Sequence, residues 1–248
     1  MTVLLLGLFG LLGGIGITAL GPGGVLPTIG LFVLTGLSPA QVAGTAIVTH
    51  VATGALGTGA YLRSGHLREP ANRRTALLLA GAALPGTALG VLLNAHVSAR
   101  AFGILLGVLV VLAALLVLYR ERHAEQTERA HPGTLTVLGT GFAVAVVAGI
   151  VGIGGPMLTV PLLLAFGVPV LESLAAAQAQ SIVIAGIGSI GYAASGAIDW
   201  PLAAIVGIPE LAGVLIGWVI ARRVPTRLLK RVIVIALLAL GPYLALHG

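Results

Sequence analysis

Long apolar runs, closed at their ends by short polar clusters, set the pattern of this chain. From Thr2 to Leu62 the only acidic, basic or imidazole side chain is His50. The run is broken twice, at Gly21-Pro22-Gly23-Gly24 and at Gly36-Leu37-Ser38-Pro39. Ser38 suits an N-cap and Pro39 the first helical position, so a helix is predicted from there to about Leu62. The piece between the breaks, Val25 to Thr35, is too short to span a hydrocarbon core of about 30 Å comfortably. After Arg63, Arg68, Arg73 and Arg74 come two ordinary spans, about Thr75 to Leu93 and Ala101 to Tyr119, joined by an Asn94-Ala95-His96 turn. A polar linker, 121–133, then separates a first half, 1–120, from a second, 134–248, within one integral membrane domain.

The second half repeats the first. A shift of 131 residues sets Gly21, Gly23, Gly24, Thr28 and Tyr61 on Gly152, Gly154, Gly155, Thr159 and Tyr192, and Ser64-Gly65 on Ser195-Gly196. After a four-residue slip, Gly86 and Gly90 fall on Gly213 and Gly217. The ordered return of a Gly-x-Gly-Gly break, a short apolar piece and Tyr-x-x-Ser-Gly predicts two repeats of about four to five membrane segments each.

Composition fixes the solvent. Of 248 residues 58% are hydrophobic and 8% charged, and mean hydropathy is +1.11, against about 25% charged residues in soluble domains. An all-α polytopic membrane protein is expected, with the lipid bilayer as a partner. The net charge of +6 sits in clusters at the ends of apolar runs, which marks topology and not a nucleic-acid face. With no cysteine, disulfides and thiolate metal sites are excluded, and neither a metal nor a cofactor is expected. The segment after Met1 lacks a basic n-region and reads as the first membrane helix, not a leader.

Charge placement predicts orientation. The loop from Arg63 to Arg74 is rich in arginine, whereas its counterpart from Ser195 to Pro201 carries Asp199 and no Lys or Arg. The two loops are expected on opposite sides, so the repeats are expected to be inverted. Arg222, Arg223, Arg227, Lys230 and Arg231 then join the first cluster and the linker on the cytoplasmic side, with both termini outside the cytoplasmic membrane. The parity has two solutions. Either each short piece (25–36, 156–167) crosses, giving five segments per half, or each glycine turn caps a re-entrant hairpin. The favoured expectation is five.

A glycine-broken helix frees the N–H groups of the helix that follows, and the helix dipole makes them partly positive, so an anion site needs no lysine. Gly21, Gly23, Gly24, Gly152, Gly154 and Gly155 are therefore candidate substrate-binding positions. The alternative is close packing between helices, the reading preferred for Gly54, Gly57, Gly86 and Gly90. Thr45, Thr49, His50 and Thr53 share one helical face, and the counterparts of Thr49 and His50 are Gln180 and Ser181, with Gln178 nearby. Thr49, His50, Gln178, Gln180 and Ser181 are candidate donors to an oxyanion. As intramembrane ionisable groups, His50 and Glu210 are candidates for proton coupling; a structural role is the alternative for both. Glu172 and Asp199 fall near span ends. No Gly-x-x-x-x-Gly-Lys loop, His-Glu-x-x-His pair or Gly-x-Ser-x-Gly elbow is present, so no enzyme is expected. A passive channel for small anions or neutral solutes is the alternative to a carrier, with an intramembrane enzyme behind it.

Two halves, each with a Gly-x-Gly-Gly break, a short apolar piece and a polar, small-residue helix ending in Tyr-x-x-Ser-Gly, resemble the TauE/SafE family of sulfite and sulfonate exporters. Gly21-Pro22-Gly23-Gly24, Gly152-Ile153-Gly154-Gly155, Pro161 and the segment from Ala177 to Ser181 carry the resemblance. It implies a multi-pass carrier of small sulfur-containing anions such as sulfite or sulfoacetate, moved outward. Members commonly have a third consecutive glycine, where this chain has Val25 and Pro156, and the first half has Gly30 where the second has Pro161. Unequal backbone geometry at the two breaks is expected.

Overall fold

The computed structural model describes residues 1–63, 65, 67–123, 132–223, 235, 238, 239, 241, 242 and 244. The remaining positions, including 124–131 of the linker and Arg227, Lys230 and Arg231 of the last basic cluster, lie outside the described residues. The described secondary structure is helical: α1 Thr2–Leu20, α2 Leu26–Leu34, α3 Pro39–Arg63, α4 Pro70–Asn94, α5 Ala99–His123, α6 Thr134–Val151, α7 Pro156–Ala165, α8 Val170–Ala194 and α9 Trp200–Arg223. The chain is an all-helical polytopic membrane protein. Among the described residues, five helices are long and apolar enough to cross a membrane: α4, α6 and α8 in full and stretches of α5 and α9. Their outward faces are apolar; Leu92, Ile190 and Ile208 are each about two-thirds exposed, as lipid contact allows.

Local chemistry sets the boundaries. At the start of α3, Ser38 N–H donates to Gln41 Oε1 at 3.0 Å and Gln41 N–H to Ser38 Oγ at 3.4 Å, a reciprocal capping box. Asp199 Oδ1 accepts from Leu202 N–H at 3.0 Å and caps α9. Pro209 stands inside α9, which continues through it. α5 runs on to His123, so the first residues of the linker are helical.

The favoured five-crossing arrangement gives way to the hairpin. α2 and α7 have 9 and 10 residues, or about 14–15 Å at 1.5 Å per residue, half the hydrocarbon thickness. α2 also turns back along α1: a Cβ on Gly13 would lie 2.7 Å from Pro27 Cδ, and one on Gly30 would lie 2.9 Å from Phe9 Cβ. α7 likewise folds back, so that its Leu163 shares an apolar cluster with Val137 near the start of α6. The count of helical segments in the first half stands at five; the second of them is a returning arm.

The remaining helices cradle the hairpins. α1 packs along α9 and α6 along α4, while α3 packs on α8 and on α9, and α4 on α8. Glycine opposition gives the directions. Gly7 faces Ile205 and Pro209 while Gly14 faces Glu210 and Val214, so α1 and α9 run parallel; Gly86 faces Phe142 and Gly90 faces Gly149, so α4 and α6 do too. α3 and α8 run antiparallel, with Gly44 against Tyr192, Gly54 against Ile182 and Gly57 against Gln178. Close packing accounts for Gly54, Gly57, Gly86 and Gly90, because a Cβ at each would meet the facing helix at contact distance or nearer.

Candidate functional site

Each hairpin tip ends against the middle of a long helix. Gly24 reaches His50, the twelfth of 25 residues in α3, and Gly155 reaches Ser181, the twelfth of 25 in α8. The tips also touch each other across the halves. Thr28 Oγ1 donates to the Gly152 carbonyl at 3.1 Å, and a Cβ on Gly21 would sit 3.2 Å from the Pro156 carbonyl oxygen. All six break glycines are buried.

The breaks differ in backbone. Gly21 has φ 95° and ψ −55° and leads into a 3-10 turn over Pro22–Val25. Gly152 has φ 73° and ψ 35°, the left-handed helical region, and reaches α7 without such a turn. Both conformations suit glycine because a Cβ there would strain the chain. The inequality expected from Val25 and Pro156 is therefore present.

A broken helix at this depth leaves carbonyls that need donors, and distant side chains supply them. At the end of α6, Ala148 O accepts from Gly152 N–H at 2.8 Å and Ile153 N–H at 3.2 Å. Gly149 O accepts from Tyr192 Oη at 2.6 Å and Ile150 O from Asn94 Nδ2 at 2.6 Å. Tyr192 is the tyrosine of Tyr-x-x-Ser-Gly, so the motif that marked the repeat ties α8 to the second break. Asn94, read from sequence as a turn residue, and Thr28 were not recognised as site supports. Their signal was weak, because a helix-end Asn and a lone Thr are common and their partners lie 56 and 124 positions away.

The first tip carries the ionisable chemistry. His50 Nε2 is 3.0 Å from the Gly24 carbonyl oxygen. Because a carbonyl only accepts, Nε2 carries a proton and donates it. His50 Nδ1 faces Glu210 Oε1 at 3.1 Å, and Thr49 Oγ1 donates to Glu210 Oε2 at 2.5 Å while lying 2.9 Å from Ala46 O and 3.2 Å from His50 Nδ1. Nδ1 and Oε1 are in close contact without an aligned hydrogen bond, so the chemistry of the pair turns on a single further proton. It sits on the carboxyl, giving a neutral pair, or on the ring, giving an ion pair; either way the dyad has no net charge, and losing that proton leaves one buried negative charge.

The second tip is neutral. Gly155 N–H donates to Ser181 Oγ at 3.3 Å. Thr159 Oγ1 donates to Gln180 Oε1 at 2.6 Å, and Gln180 Nε2 donates to Gly141 O at 3.1 Å. A Cβ on Gly154 would lie 3.0 Å from both His50 Cδ2 and Ser181 Oγ, so this glycine joins the two tips' side chains. Gln178 is buried against Gly57, away from Gln180's network, with its Nε2 unbonded among the described residues. Thr45 Oγ1 accepts from Asp199 N–H at 3.0 Å and Thr53 bonds back to His50 O at 3.2 Å, so these two hold structure outside the dyad. Among the described residues no group of three metal-ligating side chains occurs.

The family model for the sulfite exporter TauE/SafE covers residues 6–244. The chain belongs to this family. Three relatives are each named as a probable membrane transporter protein. The probable membrane transporter protein YdhB of Bacillus subtilis (strain 168) is 25% identical over 220 residues, 86% of this chain and 88% of the relative. YunE of the same strain, another probable membrane transporter protein, is 22% identical over 86% of this chain and 83% of its own length. A third, ORF9 of Sinorhizobium sp, is 29% identical over 108 residues, 42% of this chain and 41% of the relative. No solved structure gives a significant match to the chain. Membership in TauE/SafE together with the apolar helices makes this a membrane transporter.

Proposed function

We propose that the protein is a proton-coupled secondary carrier that binds a small oxyanion between its two hairpin tips, sulfite or a short sulfonate being the substrate class that the family description suggests. The carrying observation is the meeting of two buried glycine-broken tips at one His50–Glu210 dyad. The halves 1–120 and 134–248 are read as inverted repeats, a reading supported by antiparallel α3 and α8 and by the exchange of α1–α9 packing for α6–α4. The hairpins then enter from opposite faces of the bilayer, which is how alternating access is built around a fixed midplane site.

Proton and anion favour each other by simple electrostatics. With its shared proton the dyad is uncharged; without it a carboxylate stands beside the substrate's own charge in a weakly screening interior. Anion affinity therefore rises when the proton is bound, and by linkage proton affinity rises with the anion. The donors offered to the oxyanion are the Gly23, Gly24 and Gly154 backbone N–H groups with the Ser181 hydroxyl, while Gly155 N–H and Gln180 are held in the second tip's own network and Gln178 lies apart against Gly57. A dianion leaving with one proton carries one negative charge, and an inside-negative potential of 100 mV favours that exit by about 2.3 kcal/mol. Arginine placement supports a cytoplasmic-membrane protein with the 63–74 loop inside and both termini outside. Saturable sulfite or sulfonate flux in proteoliposomes, accelerated by acid on the substrate side, is the expected result. Non-saturating flux indifferent to pH would support a channel and overturn this reading.

A further inference from the structure

At the start of α4, well away from the hairpin tips, Arg68, Pro70, Arg73, Arg74, Leu77 and Leu78 line a groove of about 460 Å³. Positions 70, 73, 74, 77 and 78 share one helical face by spacing, so the groove is graded, with three guanidinium groups at one end and two leucines at the other. Arg74 donates to Thr134 Oγ1 at the start of α6, which fixes a guanidinium at the seam between these helices. Beyond the leucines the same face runs on through exposed Leu84, Pro85 and Leu92. No charged residue follows Arg74 until Arg100. The single acidic residue in the stretch from Arg63 to Arg74 is Glu69, whose Oε2 accepts from Asn72 Nδ2 at 3.3 Å.

We propose that this groove is a binding site for an anionic phospholipid, with the phosphate held by Arg68, Arg73 and Arg74 and an acyl chain lying along Leu77, Leu84 and Leu92. A guanidinium fork matches phosphate oxygens in two-point hydrogen bonds. Basic groups stacked on an apolar, lipid-facing stripe at the cytoplasmic end of a span fit an anionic headgroup and its chain together. A soluble anion would meet the arginines and leave the leucines uncovered. A zwitterionic lipid would bring its own cation against three positive charges.

The test uses the purified full-length protein exchanged from mixed phosphatidylglycerol and phosphatidylcholine nanodiscs, with retained lipid counted by native mass spectrometry. The wild type retains phosphatidylglycerol over phosphatidylcholine. The Arg68→Gln/Arg73→Gln/Arg74→Gln variant retains at least about tenfold less, and Arg100→Gln, in the first turn of α5 beyond the far end of α4, retains as much as the wild type. Should the triple variant fail to fold, single Arg73→Gln shows a partial loss with an unchanged gel-filtration profile. Equal retention of both lipids by the wild type, or undiminished retention by the arginine variants, overturns the proposal. So does full displacement by excess inorganic phosphate, which would make the site one for a free anion. None of these outcomes depends on whether the protein carries an oxyanion.

Discussion

His50 Nδ1 stands 3.1 Å from Glu210 Oε1, and the two side chains are 1% and 0% exposed. They come from α3 and α9, 160 positions apart, and the other ring nitrogen of the histidine is tied to the Gly24 carbonyl at 3.0 Å. One side chain thus connects a carboxyl to the tip of a re-entrant arm. Nε2 and Nδ1 belong to one rigid ring, so a shift of the carboxyl that turns the ring would also move its contact with the tip.

Replacing the carboxyl with an amide removes the titration and keeps the shape. Glu210→Gln is expected to transport with a flat pH profile, whereas wild-type flux falls as rising pH strips the shared proton and leaves a buried negative charge. Initial rates in proteoliposomes over a pH series check this. His50→Ala should lose transport as well as pH dependence, because it also leaves the Gly24 carbonyl without its donor.

Side chains at the tips should block function before they block folding. A Cβ on Gly24 would meet Ile17 Cγ1 at 3.2 Å, and one on Gly155 would meet the Ala177 carbonyl oxygen at 3.1 Å. Gly24→Leu and Gly155→Leu are expected to reach the membrane at normal levels and to lose flux by at least about tenfold, a change in effective barrier of about 1.4 kcal/mol or more. Gly139→Ala, where a Cβ meets nothing within 4 Å, is expected to behave as the wild type. Immunoblots of membranes with parallel flux assays separate the cases.

Tyr192→Phe tests the backbone accounting at the second break. It deletes the donor to the Gly149 carbonyl, and an unsatisfied buried acceptor costs about 1–3 kcal/mol. A lowered thermal midpoint in detergent is expected. Ser195→Ala should leave the midpoint unchanged, since that hydroxyl is partly exposed and bonds only to its own helix end.

Much of this was legible in the residues, and the remainder was hidden for identifiable reasons. A fixed shift paired Gly24 with Gly155 and His50 with Ser181, and the structure brings these four together at the two tips. Sequence also singled out Glu210, since an acid in a greasy span needs a reason to be there. What it could not supply was direction. A nine-residue apolar piece after a glycine break can continue or return, and both satisfy the same hydrophobic pattern; only the packing of Gly13 on Pro27 and Phe9 on Gly30 decides. Nor could it tell that Thr49 serves Glu210 while its counterpart Gln180 serves Thr159, because a polar residue's partner depends on which helices cross beside it. α3 shows the same limit. It is 25 residues long but is not among the five helices both long and apolar enough to cross a membrane, because it carries the buried Thr45, Thr49, His50 and Thr53.

Proton coupling as proposed requires the His50–Glu210 dyad to bind a proton together with the anion. The direct measurement is binding affinity for a short alkyl sulfonate, whose own charge does not titrate near neutrality, as a function of pH in the wild type and Glu210→Gln. Wild-type affinity is predicted to weaken by about tenfold per pH unit above the dyad's titration, one proton per anion, while Glu210→Gln binds with constant affinity. Identical pH dependence in the two proteins would rule out coupling through this dyad.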